Sequence, residues 1–447
     1  MLPHETYAVF KELQRTLQLS VPLIVGNLSQ IALGLIDSAM VGAISYMQLA
    51  AASLTTNMIS IPFTLLLGVP IAISILTGIE RGRANEKAIS RQLFNGLYVS
   101  VAASIVIYLL CLLASPYAVL LKQDETVTKL AIPYFQIMAL SLIPNAIYRA
   151  FVAFSDGLGY TRTGMMLSLI SLPLNAVLNY AFIFGHLGAP RLELYGAGLA
   201  SFWARVFMMI AMIIIVLKHK SYRPYLQHWR ETIAVQWGLV KETLHIGVPS
   251  SLQMMLEGGA FAVSGIMIGW LGATTQAAHQ IALNCASTTF MAALGLSLGA
   301  SIRVGHAYGL GDKMLQRLIG KSAMIGGIIW GAFCLLFFVL LRHQLPFLFN
   351  NDPAVVKLAS GLLIVAAIFQ VSDSLQAIGA GLLRGMKDVN VPTILIAIAY
   401  WAIGIPVGYV LAFKAGYGAY GIWWGFVAGL SMSALLLNLR FLRRSAK

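Results

Sequence analysis

Apolar runs of about 20 residues or more, each able to cross the roughly 30 Å hydrocarbon core of a bilayer, recur twelve times in this chain. They lie near 17–40, 49–78, 93–114, 130–154, 165–186, 196–217, 243–270, 277–302, 322–341, 357–383, 391–413 and 418–441. Within lipid, such runs satisfy their own backbone only as helices or as strands of a closed barrel. Barrel strands are short and alternate in polarity, and these runs do neither. Composition agrees: 59% of the 447 residues are hydrophobic and 10% are charged, more apolar surface than a soluble domain of this size hides. The expected fold is an all-α polytopic membrane protein with twelve transmembrane helices.

The second half of the chain repeats the first at an offset of 227. Val21-Pro22 returns as Val248-Pro249, Met40 and Gly42 as Met267 and Gly269, Ala50-Ala51 as Ala277-Ala278, Asn57 as Asn284, and Gly68, Gly78 and Gly82 as Gly295, Gly305 and Gly309. Six spans per copy is an even number, so both copies enter the membrane in the same sense. The repeat axis is then expected along the membrane normal, relating two six-helix lobes by a pseudo-twofold, with a transport path between them. The expected lobes are 1–217 and 243–447, joined by a polar cytoplasmic linker, 218–242. Trp229, Trp237 and the basic residues of this linker suit the lipid headgroup layer.

Lys and Arg divide unevenly between alternate loops. Counting the amino terminus as inside, the inner segments hold twenty-two of the thirty, among them Arg81, Arg83, Arg162, Lys218, Arg303 and Arg440, with Lys447 at the end. The outer segments hold six: Lys122, Lys129, Arg191, Arg342, Lys357 and Lys414. This places both termini in the cytoplasm of a cell with the chain in its inner (plasma) membrane. The formal charge of +14 then reflects topology and contact with membrane lipid, and no nucleic-acid partner is expected. No cleavable leader is evident, since Glu5, Lys11, Glu12 and Arg15 precede the first span.

Enzyme chemistry finds little support. The eight histidines are scattered without a His-Glu-x-x-His pattern, and no phosphate-cradling loop occurs, so neither catalysis nor a cofactor is expected. Gly78-Ile-Glu80-Arg81-Gly82-Arg83 is a weak match to the inner-loop motif of major facilitator transporters. Cys111, Cys285 and Cys334 each lie in an apolar run and read as buried free thiols.

The residues that stand out are acids inside the spans. Of sixteen Asp and Glu, only Asp37, Glu257 and Asp373 lie within hydrophobic segments. An ionised carboxylate there costs about 3 kcal/mol or more, so it faces a cavity, a partner or a cation. The repeat does not duplicate them: Asp37 corresponds to Ser264, Glu257 to Gln30 and, at an offset of 228, Asp373 to Asn145. Asn175 and Asn179 lie one turn apart on the fifth span and share a face. With Asp37 they offer an all-oxygen set for a proton relay or sodium. Glu257 and Asp373 occupy middle positions of the seventh and tenth spans, where two carboxylates in one closed cavity need a proton or a cation to balance them. Gln280 and Asn284, one turn apart on the eighth span, are candidates for the same cavity. Pro22 removes a backbone hydrogen bond in the first span and is a candidate hinge.

Several motifs in fixed order carry a family resemblance. They are Pro22 followed by Ile36-Asp37-x-x-Met40-x-Gly42; Phe154-Ser155-Asp156-Gly157-Leu158-Gly159; Glu257-Gly258-Gly259; Ala277-Ala278-His279-Gln280-x-Ala282-Leu283-Asn284; and Asp373-x-x-Gln376 leading to Gly381-x-x-Arg384-Gly385-x-Lys387-Asp388. Over almost its whole length the chain resembles multidrug and toxic compound extrusion (MATE) transporters of the bacterial NorM-like branch. The resemblance implies two six-helix lobes forming a V, acting as a monomer, and export of cationic lipophilic compounds by antiport with protons or sodium. It maps an amino-terminal acidic site to Asp37, Asn175, Asn179 and Ser201, and a cation site to Glu257 and Asp373. Related members carry a tyrosine one turn before the last acid. Here that position is Phe369, which removes an oxygen ligand and favours protons over sodium.

Two other functions fit the sequence less well. A lipid-linked oligosaccharide flippase of the same wider superfamily would line its cavity with basic residues, but only Arg149 and Arg205 lie clearly inside spans. A membrane-embedded lipid transferase would need a catalytic cluster at the interface, and none is evident.

Overall fold

The computed structural model describes residues 3–121, 124–227 and 229–446. Lys122 and Lys447 of the charge count and His228 of the linker lie outside them. Among the described residues all regular structure is helical, and twelve helices are long and apolar enough to span a membrane: α1 (Tyr7–Gly42), α2 (Tyr46–Gly82), α3 (Glu86–Leu120), α4 (Glu125–Gly157), α5 (Thr161–Phe184), α6 (Glu193–Lys218), α7 (Trp237–Gly269), α8 (Ala273–Gly309), α9 (Lys313–Leu341), α10 (Pro353–Gly385), α11 (Asn390–Lys414) and α12 (Ala419–Arg444). Each expected apolar run falls on one of them. Most helices outrun their apolar stretch because polar side chains cap the ends.

The caps themselves follow the repeat. Asn85 accepts from the Ala88 N–H at 3.0 Å to start α3, and Asp312, 227 residues on, accepts from Leu315 N–H at 2.8 Å to start α9. Asp124 and Asp352 do the same for α4 and α10. Each satisfies one of the backbone donors that a helix start leaves free. Four of the span-end acids and amides are thereby accounted for as structure.

Packing divides the chain at Ile24/Val25 and Ser251/Leu252. One compact unit comprises residues 25–251, the other the residues from Leu252 onward together with those up to Ile24. Both division points lie two residues beyond a proline, Pro22 in α1 and Pro249 in α7. In the unit holding the carboxy-terminal spans, Arg303 of α8 ties down the start of α1, donating to the Glu12 carbonyl at 2.7 Å, to Thr16 Oγ1 at 2.8 Å and to the Glu12 carboxylate. In the other unit the linker and the start of α7 are held by the ion pair of Lys87 with Glu231 (2.8 Å) and by neutral bonds: Tyr98 to the Ile233 carbonyl (2.6 Å), Gln236 N–H to Asn95 Oδ1 (2.7 Å) and Gln92 to Thr243 (3.0 Å). Trp237 is exposed where a headgroup anchor is expected.

Glycine makes the equivalent helix contacts possible in each unit. A Cβ on Gly68 would lie 2.0 Å from the Gly247 carbonyl oxygen, and one on Gly295 would lie 2.4 Å from Ile24 Cγ1. Ser251 locks the first contact, accepting from Gly68 N–H at 3.0 Å and donating to the Leu65 carbonyl at 2.7 Å. Gly68→Ala is expected to destabilise the purified protein by about 1–3 kcal/mol, the usual scale of overpacking. Gly295→Ala should cost less, because a side chain yields more readily than a carbonyl. Thermal unfolding in detergent reads the difference, and an unchanged midpoint for Gly68→Ala would rule out the close approach.

In the unit containing α8 to α12 the core centres on Trp423, Phe338, Phe441, Leu362 and Ile378, all buried. α11 is not a regular helix: residues Ile398–Gly404 and Val410–Lys414 form wider π-helical turns. The first precedes Pro406, whose ring would clash with the carbonyl four residues earlier in a regular α-helix. Gly425 of α12 lets the helices meet, since a Cβ there would lie 2.5 Å from the Gly404 carbonyl oxygen. The three cysteines are free and buried.

Candidate functional site

The first acidic site lies wholly within residues 25–251. α5 places Asn175 and Asn179 on one face, fully buried, and α6 brings Ser201 alongside. Asn179 Nδ2 donates to Asp37 Oδ1 at 2.6 Å and to Asn175 Oδ1 at 3.0 Å, and Ser201 Oγ donates to Asp37 Oδ2 at 3.3 Å. All four residues expected from the sequence therefore meet. Asn179 Oδ1 and Asn175 Nδ2 are buried without a hydrogen-bond partner among the described residues, so the cluster keeps an unused acceptor and an unused donor.

Two residues escaped the sequence reading of this site. Arg205 lies one turn after Ser201 on α6, interacts electrostatically with Asp37, and donates to Ser141 Oγ at 2.5 Å. Ser141 marks the break that divides α4 into Glu125–Leu140 and Leu142–Gly157. The sequence did single out Arg205 as a basic residue inside a span, but helical spacing to Ser201 was the signal that would have linked it to Asp37. Arg149, the other, stacks over the Phe63 ring at 5.2 Å.

The second site is a cavity of about 310 Å³ within the unit of α8 to α12. Glu257 of α7 and Asp373 of α10 both line it, as do Gln376, Arg384, Phe261 and Phe290. Gln376 Nε2 donates to Glu257 Oε1. Arg384 is anchored by its own helix, Nε donating to the Ala380 carbonyl at 3.2 Å. The two acids are thus brought together, with one fixed cation in the same lining. Most of the wall is apolar or aromatic, as ligand cavities are.

Gln280 and Asn284 do not line this cavity. They stand exposed on α8, Gln280 Nε2 donating to Asn284 Oδ1 at 3.1 Å. A one-turn spacing fixes that two residues share a face but not which face turns inward, and here the inward face carries Leu283, Ala286 and Ser287. A second difference concerns the missing phenol. Phe369 does line the cavity, yet Tyr400 of α11 lines it too, so the cavity is not without a tyrosine hydroxyl. Among the described residues no three His, Cys, Asp or Glu side chains gather as a metal cluster. The motif residue Asp388 is held by Arg440 Nε at 2.7 Å and Arg444 Nη1 at 2.7 Å, an ion-pair role at the helix ends.

Comparison with known proteins accords with this layout. A family model described as MatE matches the chain twice, over residues 22–181 and 249–410, the two matches starting at the two equivalent prolines. The chain is 34% identical over 436 residues to a probable multidrug resistance protein NorM of Rhizobium meliloti (strain 1021), covering 96% of this chain and 92% of the relative. It is likewise 34% identical to a multidrug resistance protein NorM of Burkholderia vietnamiensis, covering 95% and 93%. Among solved structures, a MATE protein in a bent conformation superposes with a TM-score of 0.89 at 19% identity over 99% of this chain and 97% of that one. The eukaryotic MATE transporter AtDTX14 gives 0.87 at 20% identity, covering 98% of each. The chain belongs to the MatE family, whose fold and transporter character these relatives share.

Proposed function

We propose that this chain exports lipophilic organic cations from the cell by antiport, exchanging them for a proton or sodium through alternating access of two lobes, 1–217 and 243–447. It works as a monomer in the inner membrane, with both termini cytoplasmic and Pro22 as a hinge in α1. The observation that carries this is the placement of acids: the three carboxylates within the apolar runs, Asp37, Glu257 and Asp373, form two separate clusters, each inside one packing unit. A carboxylate in such surroundings holds a cation or a proton, and competition between the two couples their movements. The apolar and aromatic wall around Glu257 and Asp373 suits a flat lipophilic cation, and the names of the NorM relatives point to drugs as that class. A flippase of anionic lipid-linked sugars fits less well, because the cavity lining sets a single cation, Arg384, against two carboxylates, Glu257 and Asp373.

Uptake of a fluorescent organic cation into inside-out membrane vesicles tests the proposal. An imposed proton or sodium gradient should drive accumulation, and collapsing the gradient should release it. Accumulation indifferent to both gradients would remove the antiport mechanism.

A further inference from the structure

With Phe at position 369, α10 presents no phenol to the second acid pair. α11 does. Tyr400 is 2% exposed and lines the cavity alongside Glu257, Asp373 and Gln376. It interacts electrostatically with both carboxylates. Among the described residues no hydrogen bond engages its hydroxyl, although a buried tyrosine hydroxyl normally finds a partner. The site therefore holds an oxygen with nothing to do in the protein alone.

The surroundings fix this ring rather than leave it loose. Phe261 meets Phe369 and Tyr400 edge-on, each with ring centroids 6.2 Å apart, so the two rings flank the same side chain. The next residue, Trp401, donates from Nε1 to the Leu256 carbonyl at 3.1 Å, tying α11 to the backbone just before Glu257. Tyr400 lies in the π-helical turn Ile398–Gly404, a distortion often found where a helix serves a site.

We propose that Tyr400 is a ligand residue of the second site, its phenol oxygen joining the Glu257 and Asp373 carboxylates around a sodium ion in place of the oxygen that Phe369 lacks. Two carboxylates, a phenol and the Gln376 amide oxygen make the all-oxygen set that hard cations take. Charge sets the valence. Two carboxylates facing one Arg384 leave a single net negative charge, which one monovalent ion neutralises and a divalent ion overshoots. This ligand role presupposes the cation-coupled export proposed above.

Isothermal titration of the purified full-length protein with sodium chloride, against choline chloride as the blank, tests it. Tyr400→Phe should weaken sodium binding about tenfold or more, the scale of one oxygen contact to a charged group. Moving the hydroxyl back to α10 in the double variant Phe369→Tyr/Tyr400→Phe should restore affinity to within about threefold of the unaltered protein. A role in packing alone predicts no such rescue. The double variant also keeps the test decisive where Tyr400→Phe folds poorly. Sodium binding unchanged in Tyr400→Phe, or no recovery in the double variant, overturns the assignment. So does an unaltered protein that binds no sodium; proton-driven uptake in the vesicles would then leave the export itself standing.

Discussion

Glu257→Gln and Asp373→Asn are each expected to abolish drug export while folded protein persists in the membrane. Both changes keep the side chain's size, and Gln at 257 still accepts a hydrogen bond from Gln376 in the place where Glu257 Oε1 accepts one now. What changes is charge. With both acids ionised against Arg384 the cavity attracts one cation; with one acid neutralised the lining is balanced and attracts none. Export should fall by about a hundredfold or more, the scale on which deleting one member of a buried charge interaction acts. Drug resistance of cells expressing each variant, normalised to the amount of monodisperse protein, reads the effect. Normal resistance from both variants at normal expression would mean that the cavity is not the coupling site.

Much of this fold was legible in the sequence because a bilayer leaves so few options. Twelve apolar runs had to be helices, and each is one; the 227-residue repeat reappears in the cap pair Asn85/Asp312 and in the glycine contacts of Gly68 and Gly295, and, one residue longer, in the cap pair Asp124/Asp352. The first acidic cluster was legible as well, since Asn175 and Asn179 carry their common face in their spacing, and the resemblance supplied Ser201. The second was legible only in its charges. Gln280 and Asn284 have the same one-turn spacing as the productive pair yet turn away from the cavity, because periodicity tells which residues share a face and not what that face meets. Tyr400 left no trace in the pattern: an aromatic residue in the middle of an apolar span reads the same whether it faces lipid, a neighbouring helix or a site. The π-helical turn that surrounds it, set by Pro406 several residues later, shifts the helical phase on which any such reading relies. Packing introduced a further feature that composition hides. Residues 218–242 are the polar boundary, whereas contacts divide the chain just after Pro22 and Pro249, since glycines at 68 and 295 admit neighbours that no polarity pattern marks.

At the first site a graded series is expected, with Asp37→Asn the most damaging, Asn179→Ala intermediate and Asn175→Ala the mildest. Asp37 alone can carry a charge, so its amide variant loses the attraction for a cation and should lower export by about a hundredfold or more. Asn179 is the joint of the cluster, one amide nitrogen serving both Asp37 at 2.6 Å and Asn175 at 3.0 Å. Its truncation removes one donor to the carboxylate, worth about tenfold for a hydrogen bond to a charged group, while Ser201 still donates to the other oxygen. Asn175 acts on Asp37 more weakly than Asn179 and Ser201 do, its one close hydrogen bond being to Asn179, so Asn175→Ala leaves the Asn179 and Ser201 bonds to the carboxylate in place and acts mainly by loosening the amide that makes one of them. The three variants, compared for gradient-driven uptake in inside-out vesicles at matched protein levels, separate coupling from scaffolding. Equal loss from all three would mark the cluster as a structural network holding α1 to α5, because a network fails alike wherever it is cut, whereas a coupling site fails most at the residue that carries the charge.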